Sequence, residues 1–171
     1  MAKLRLATHQ DIPAILAIYE SSRHFMRQTG NANQWTNGYP GERDILADIA
    51  NGYGYLLYDE EKGILATFHL SLRCDPSYAI IEGNWHANTP YGVIHRIAVA
   101  SDAMGKGYAS RCIHFAEKLI LQNNRHWLRI DTHADNVPMQ KVILKNHCQY
   151  CGIIHVIGTQ TTRWAYDKYL G

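Results

Sequence analysis

The segment Ile94-His95-Arg96-Ile97-Ala98-Val99-Ala100, continuing through Met104-Gly105-Lys106-Gly107-Tyr108-Ala109 to Leu121, limits this chain most tightly. It reads as an apolar strand, a four-residue connection, a glycine pair and then an amphipathic helix. Glycines ahead of a helix let the backbone come close to a ligand, and the first N–H groups of the helix have no intrahelical partner. Together with the positive end of the helix dipole they make an anion site suited to a diphosphate. The stretch therefore points to a phosphate-bearing cofactor.

The flanking sequence predicts the other elements. Lys3–Ala7 alternates as a first strand, and Thr8 with Asp11 opens a helix whose buried face carries Ile12, Ile15, Leu16, Tyr19, Ser22 and Met26. That helix should stop near Gly30, leaving residues 31–41 irregular around Trp35, Tyr39 and Pro40. A short helix from Glu42 to Ala50 precedes strands at 53–58 and 64–73, joined by the turn Asp59 to Gly63. Residues 74–90 read as a long loop with a short helical or extended piece, and loops of that length in compact domains are often functional. Beyond it come a strand at 91–100, a helix at 106–122, a strand at 127–133, a helix at 137–146 and strands at 150–157 and 161–169. The expected fold is mixed α/β (α+β), with a mostly antiparallel twisted sheet of about seven strands and about four helices in one domain over residues 1–171.

Composition excludes several classes. A net charge of +2 without a basic run argues against nucleic acid as a partner. No apolar stretch approaches the ~18 residues a membrane span needs, and the N-terminus lacks the apolar core of a signal peptide. Cys74, Cys112, Cys148 and Cys151 do not form a disulfide framework in a chain of 171 residues, so a cytoplasmic protein is expected. Cys148-x-x-Cys151, with His147 and His155 nearby, lacks the second ligand pair of a zinc site and lies before a late strand, so no metal is expected.

Three phosphate loops compete for the glycine pair. A Walker loop needs a glycine where Ala100 stands and a hydroxyl after Gly105-Lys106, where Gly107 stands. The dinucleotide fingerprint keeps two of its three glycines but arrives about 100 residues late and after a hairpin. The third match is better. Val99 to Ala109 resembles the acyl-CoA signature of the GNAT superfamily of N-acetyltransferases, a Gln/Arg-x-x-Gly-x-Gly/Ala segment after a strand ending in Val. Asp131 to Met139 is similar to that family's next strand and Asn-initiated helix, and Tyr150-Cys151-Gly152 with Arg163 to Lys168 to its C-terminal end. The element order agrees across nearly the whole chain.

The resemblance implies acetyl-CoA as cosubstrate, with contacts from Ile97, Ala98, Val99, Met104, Gly105, Lys106, Gly107, Tyr108, Ala109 and Asn136. It implies a thioester carbonyl held by an N–H of the strand containing Ile97 to Val99, and an acceptor pocket built from the loop after the first helix and the long loop. Trp35, Tyr39, Tyr78 and Trp85 would line that pocket. Proteins of this family can also pair into homodimers through their terminal strands. Two positions depart from the pattern: Met104 replaces the usual Gln/Arg, and Ile143 occupies the place of a tyrosine that protonates the departing thiolate.

Transfer to an amine also needs a group to take its proton. His95, Glu82, His69, His133 and Asp131 are candidates, with Glu82 and His95 the catalytic expectation. The reading is an acetyl-CoA-dependent N-acetyltransferase with a small-molecule amine acceptor. A catalytically silent acyl-CoA-binding module and a Rossmann-type NAD(P)-dependent oxidoreductase are the alternatives.

Overall fold

The computed structural model describes residues 1–171. Its strands are β1 (Lys3–Leu6), β2 (Gly54–Asp59), β3 (Gly63–Ser71), β4 (Ile81–Gly83), β5 (Gly92–Val99), β6 (Trp127–Thr132), β7 (Gln149–His155) and β8 (Thr162–Tyr169). Its helices are α1 (Ile12–Gln28), α2 (Glu42–Asn51), α3 (Tyr108–Gln122) and α4 (Val137–Lys145). The strands form one sheet in the order β1-β2-β3-β5-β6-β8-β7-β4. Every pairing is antiparallel except that of β5 with β6.

Successive strand residues face opposite sides of a sheet. Leu65 to Phe68 on β3 and Val93 and Ile94 on β5 are nevertheless all buried, so both faces of the sheet centre are covered. Helices α1 and α3 pack there. Ile15, Ile18 and Tyr19 supply the inner face of α1, and Cys112, Ile113, Ala116 and Ile120 that of α3. The start of α1 is fixed as the sequence predicts: the Asp11 carboxylate accepts from the Thr8 N–H at 2.8 Å and its hydroxyl at 2.9 Å, and pairs with Arg5 through both oxygens.

The sheet has eight strands where about seven were expected. The extra one, β4, is three residues long and lies in the expected long loop, where it pairs with β7 through Ile81–Ile154 to Gly83–Gly152. A run of Ile-Glu-Gly is too short to show alternation. A small apolar cluster of Tyr78, Tyr91, Val93, Ile154 and Ala165 holds this segment to the sheet.

Two irregularities open the middle of the sheet. Pairing of β5 with β3 slips between Thr67 and His69, and opposite that slip Arg96 has φ 51°. Parallel pairing of β5 with β6 runs only from Gly92–Leu128 to Ile94–Ile130. The β6-facing edge of β5 from His95 to Val99 therefore has no strand partner. This mostly antiparallel order also rules out the Rossmann alternative, which needs a parallel βαβ series.

Candidate active site

A first cavity of about 270 Å³ lies on the open half of β5, between α1, α4 and the glycine loop. Of the expected cofactor contacts, Ile97, Ala98, Val99, Met104, Gly105, Gly107, Tyr108, Ala109 and Asn136 line it. Lys106 does not; its ammonium donates to the Asp102 carbonyl at 2.7 Å on the surface. Gly105 and Gly107 take φ 75° and 79°, values that favour glycine, and so turn the loop into α3. The backbone N–H groups from Met104 to Ser110 donate to no acceptor in the protein. Unpaired successive N–H groups of this kind are suited to an anion.

Asn136 begins α4, its Oδ1 accepting from the Met139 N–H at 3.2 Å. Its Nδ2 donates to Gln34 Oε1, which also accepts from Asn31, each at 2.9 Å. Gln34 thus ties the irregular segment after α1 to the start of α4, a role its sequence surroundings do not signal. Phe25 and Met26 of α1 and Pro138, Met139 and Val142 of α4 supply the apolar walls. Buried Thr132 Oγ1, in the gap between β5 and β6, has no hydrogen-bond partner.

A second, polar cavity of about 650 Å³ lies on the other side of that gap. A narrow passage of about 40 Å³ lies between the two cavities and shares Met26, Ile97, Asn136 and Met139 with the first and Gln34, Trp35, His95, Arg96 and Asp131 with the second. His95 stands at this junction. Its Nε2 lies 2.8 Å from Asp75 Oδ2, and its Nδ1 lies 3.6 Å from Asp131 Oδ2. Hydrogen bonding to Asp75 places the ring proton on Nε2 and leaves the Nδ1 lone pair free. Burial pushes the Asp75 carboxyl up, but the His95 hydrogen bond and the Ser77 N–H outweigh it, so Asp75 is held below the usual range. The Tyr78 hydroxyl donates to Asp131; burial, reinforced by that carboxylate, keeps the phenol protonated.

Beside this pair lies a second histidine system. His69 Nδ1 is 2.8 Å from Asp48 Oδ1, and Arg96 donates to Asp48 Oδ2 at 2.5 Å and to the Tyr39 hydroxyl at 3.1 Å. Burial lowers the His69 pKa, so His69 is neutral at neutral pH. Asp48 is also lowered: burial opposes its ionisation, but the His69 hydrogen bond and the Arg96 charge overcome it.

The structure sorts the remaining expected residues. Trp35 is buried edge-on against Tyr19 and lines the passage; Tyr39 and Tyr78 line the polar cavity. Trp85 lies outside it. The Arg129 guanidinium is stacked 4.0 Å from the Trp85 ring and 3.9 Å from that of Tyr91, and the Trp85 N–H donates to the Tyr78 carbonyl. Trp85 therefore holds the loop rather than lining the acceptor cavity. Glu82 is displaced as well: it sits on edge strand β4, exposed and 2.6 Å from His155. Edge strand β4 leaves it outside the polar cavity that His95 lines. His133 lies outside both cavities, beside Asp135. Ile143 is fully buried in the core, and of the Cys-x-x-Cys pair Cys148 is in the core while Cys151 contacts His86 beside Asp167.

Two cavities thus meet at an opened parallel strand pair, one of them walled by the glycine loop and its unpaired N–H groups. A family model described as the acetyltransferase (GNAT) family matches residues 15–147, and the chain belongs to that family. It is therefore an acyltransferase. The chain is similar to a GNAT-family acetyltransferase structure from Streptococcus agalactiae, with 33% identity over 98% of this chain and 95% of that one and a TM-score of 0.85. It is 22% identical to the uncharacterized N-acetyltransferase YesJ of Bacillus subtilis, over 85% of this chain and 81% of that protein. The fold is shared with yncA of Salmonella typhimurium, solved with its cofactor acetyl-CoA: TM-score 0.66 at 12% identity, over 100% of this chain and 95% of that one.

Proposed function

We propose that this chain, acting as one cytoplasmic domain, transfers the acetyl group of acetyl-CoA to the primary amine of a small molecule by direct attack on the thioester. The supporting observation is the meeting of an N–H-lined cavity and a polar cavity at His95. Acetyl-CoA supplies the activated acetyl group. In this reading the N–H groups of Met104 to Ser110 bind its diphosphate. Asn136 and the freed edge of β5 hold its arm, and an N–H of that edge meets the carbonyl oxygen as negative charge develops there.

His95 Nδ1 takes the proton of the incoming ammonium, and Asp75 holds the ring in the tautomer that can do so. A C–N bond forms as the C–S bond breaks, giving an amide, a free thiol and one proton released overall. Thiols ionise near pH 8.5, so departure as thiolate is tolerable without a tyrosine at Ile143.

The buried Ile143 is also what favours a second reading, a silent acyl-CoA-binding module. Thermal-shift titration with acetyl-CoA and CoA, followed by thiol detection across a panel of amines, separates the two. A stability rise with both CoA species and thiol release with at least one amine are expected. Absence of any shift would overturn both readings, and a shift with no thiol release would leave the module.

A further inference from the structure

Arg163 on β8 lines the polar cavity with most of its guanidinium unused. Nη1 donates to the adjacent Thr162 carbonyl at 2.9 Å, Nε stands 3.9 Å from Asp131 Oδ1, beyond hydrogen-bond range, and Nη2 makes no hydrogen bond. The side chain is only 14% exposed, and its unpartnered nitrogens keep some contact with water. The terminal nitrogens of Arg96 are taken up by Asp48 and Tyr39, its buried Nε alone lacking a partner, and Arg129 is held by two aromatic rings and the Ala87 carbonyl. A partly desolvated fork of N–H donors facing a cavity matches a planar anion, and a carboxylate satisfies it through two parallel hydrogen bonds.

The neighbouring charges narrow this anion further. Asp131 and Asp75 both line the same cavity. A phosphate dianion there would face two carboxylates, whereas a carboxylate that brings its own ammonium would not. The two oxygens of Asp131 are directed to different groups: Oδ2 lies 3.6 Å from His95 Nδ1 and Oδ1 lies 3.9 Å from Arg163 Nε. The position for the reacting amine and the position for the anion therefore flank a single carboxylate. Positions on either side of one carboxylate suit an amine and a carboxyl carried close together in the same molecule, as in an α- or β-amino acid.

We infer that the acceptor is an amino acid, its carboxylate bound by Arg163 and its ammonium received between Asp131 and His95 Nδ1. This rests on the acetyl-transfer reading above. The reaction forms the N-acetyl amino acid and free CoA thiol, with the ammonium proton passing to His95 and then to solvent.

The test sets α- and β-amino acids against their decarboxylated amines, their carboxamides and phosphorylated amines, reading thiol release at saturating acetyl-CoA. Calorimetric binding of the same compounds to the enzyme–CoA complex supplies a second readout. Amino acids should exceed their decarboxylated counterparts in kcat/KM by about 100-fold, the cost of leaving a desolvated guanidinium without its carboxylate. In Arg163→Met that preference should collapse, mainly through KM, and Arg163→Lys should restore part of it. Circular dichroism and CoA binding check that both variants fold. Equal use of amines and amino acids, preference for phosphorylated amines, or an equal fall for every acceptor in Arg163→Met would overturn the assignment and leave acetyl transfer standing. Absence of thiol release with every class of acceptor would overturn the transfer reading and this one with it.

Discussion

His95 Nε2 lies 2.8 Å from Asp75 Oδ2, which fixes the lone pair of the other ring nitrogen toward the junction of the two cavities. General-base catalysis is worth roughly 10²–10⁴ in rate, so His95→Gln should lower kcat/KM by about that factor. Asp75→Asn keeps the shape but can donate to Nε2 and so favour the wrong tautomer; a fall of at least about tenfold is expected. Steady-state kinetics over a pH series check both. An unchanged kcat/KM in His95→Gln would remove His95 as the base.

Asp48 is buried and serves Arg96 and His69 at once. Removing one partner of a buried pair leaves the other charge uncompensated, so Asp48→Ala should destabilise by about 3–5 kcal/mol in urea unfolding. His69 adds a pH dependence. Its pKa is lowered in the fold by burial, so on acidification the unfolded chain takes up the proton first. The His69 contribution is intact above about pH 6.5, the ordinary histidine value, and declines as pH falls from there toward the folded value. A smaller loss between pH 7.5 and pH 5.5 in His69→Gln than in the parent checks the sign.

Most of the frame was legible in the sequence because it rests on periodicity: α1, α3 and the glycine loop announce themselves by spacing. The opened edge of β5 did not. It depends on Arg96 at positive φ and on a register slip opposite Thr67 and His69, and neither leaves a compositional trace. The polar cavity was less legible still. Asp75 and Arg163 come from the long loop and β8, and only the strand order brings them to one cavity with His95. Glu82 and Trp85 were misplaced for a related reason: a three-residue strand and an aromatic stack on Arg129 turn part of the long loop into scaffold.

Asp11 links β1 to the start of α1 through Arg5 and Thr8. The Arg5 hydrogen bonds, helped by those from Thr8, overcome the opposing effect of burial and lower the Asp11 pKa to about 2. A depressed carboxylate pKa stabilises the fold above the unfolded value, and that stabilisation is lost as pH falls from about 4 to about 2. The amount is about 2 kcal/mol. Asp11→Asn should lose it already at pH 7 and show a flatter acid limb in denaturant titrations. A parallel acid limb in parent and variant would refute the assignment.

Gly107 stands at φ 79° with open space where a Cβ would project. Gly107→Ala therefore meets backbone strain rather than a clash, at about 1 kcal/mol. The larger effect should be on the cradle, whose N–H groups depend on that conformation. A several-fold rise in the Kd for CoA beside a small fall in Tm is expected. A stability loss with unchanged CoA affinity would separate the turn from the anion site.

Met104 lines the cofactor cavity at the entrance to the glycine loop, in extended backbone and partly exposed. Its thioether would give a diphosphate only weak contact, so in the proposed complex the N–H groups of Met104 to Ser110, which have no acceptor in the protein, would carry the anion without a side-chain charge from this position. Met104→Arg puts a guanidinium beside them. A charge-assisted hydrogen bond at a partly solvated site is worth about 1–2 kcal/mol, so CoA should bind roughly tenfold more tightly. Because the added attraction is electrostatic, the gain should shrink as salt rises and the Debye length shortens. Calorimetry on parent and variant at low and high ionic strength measures both effects. A salt-independent gain would mean that Met104→Arg acts by packing. An unchanged affinity would mean that the backbone cradle already saturates the diphosphate.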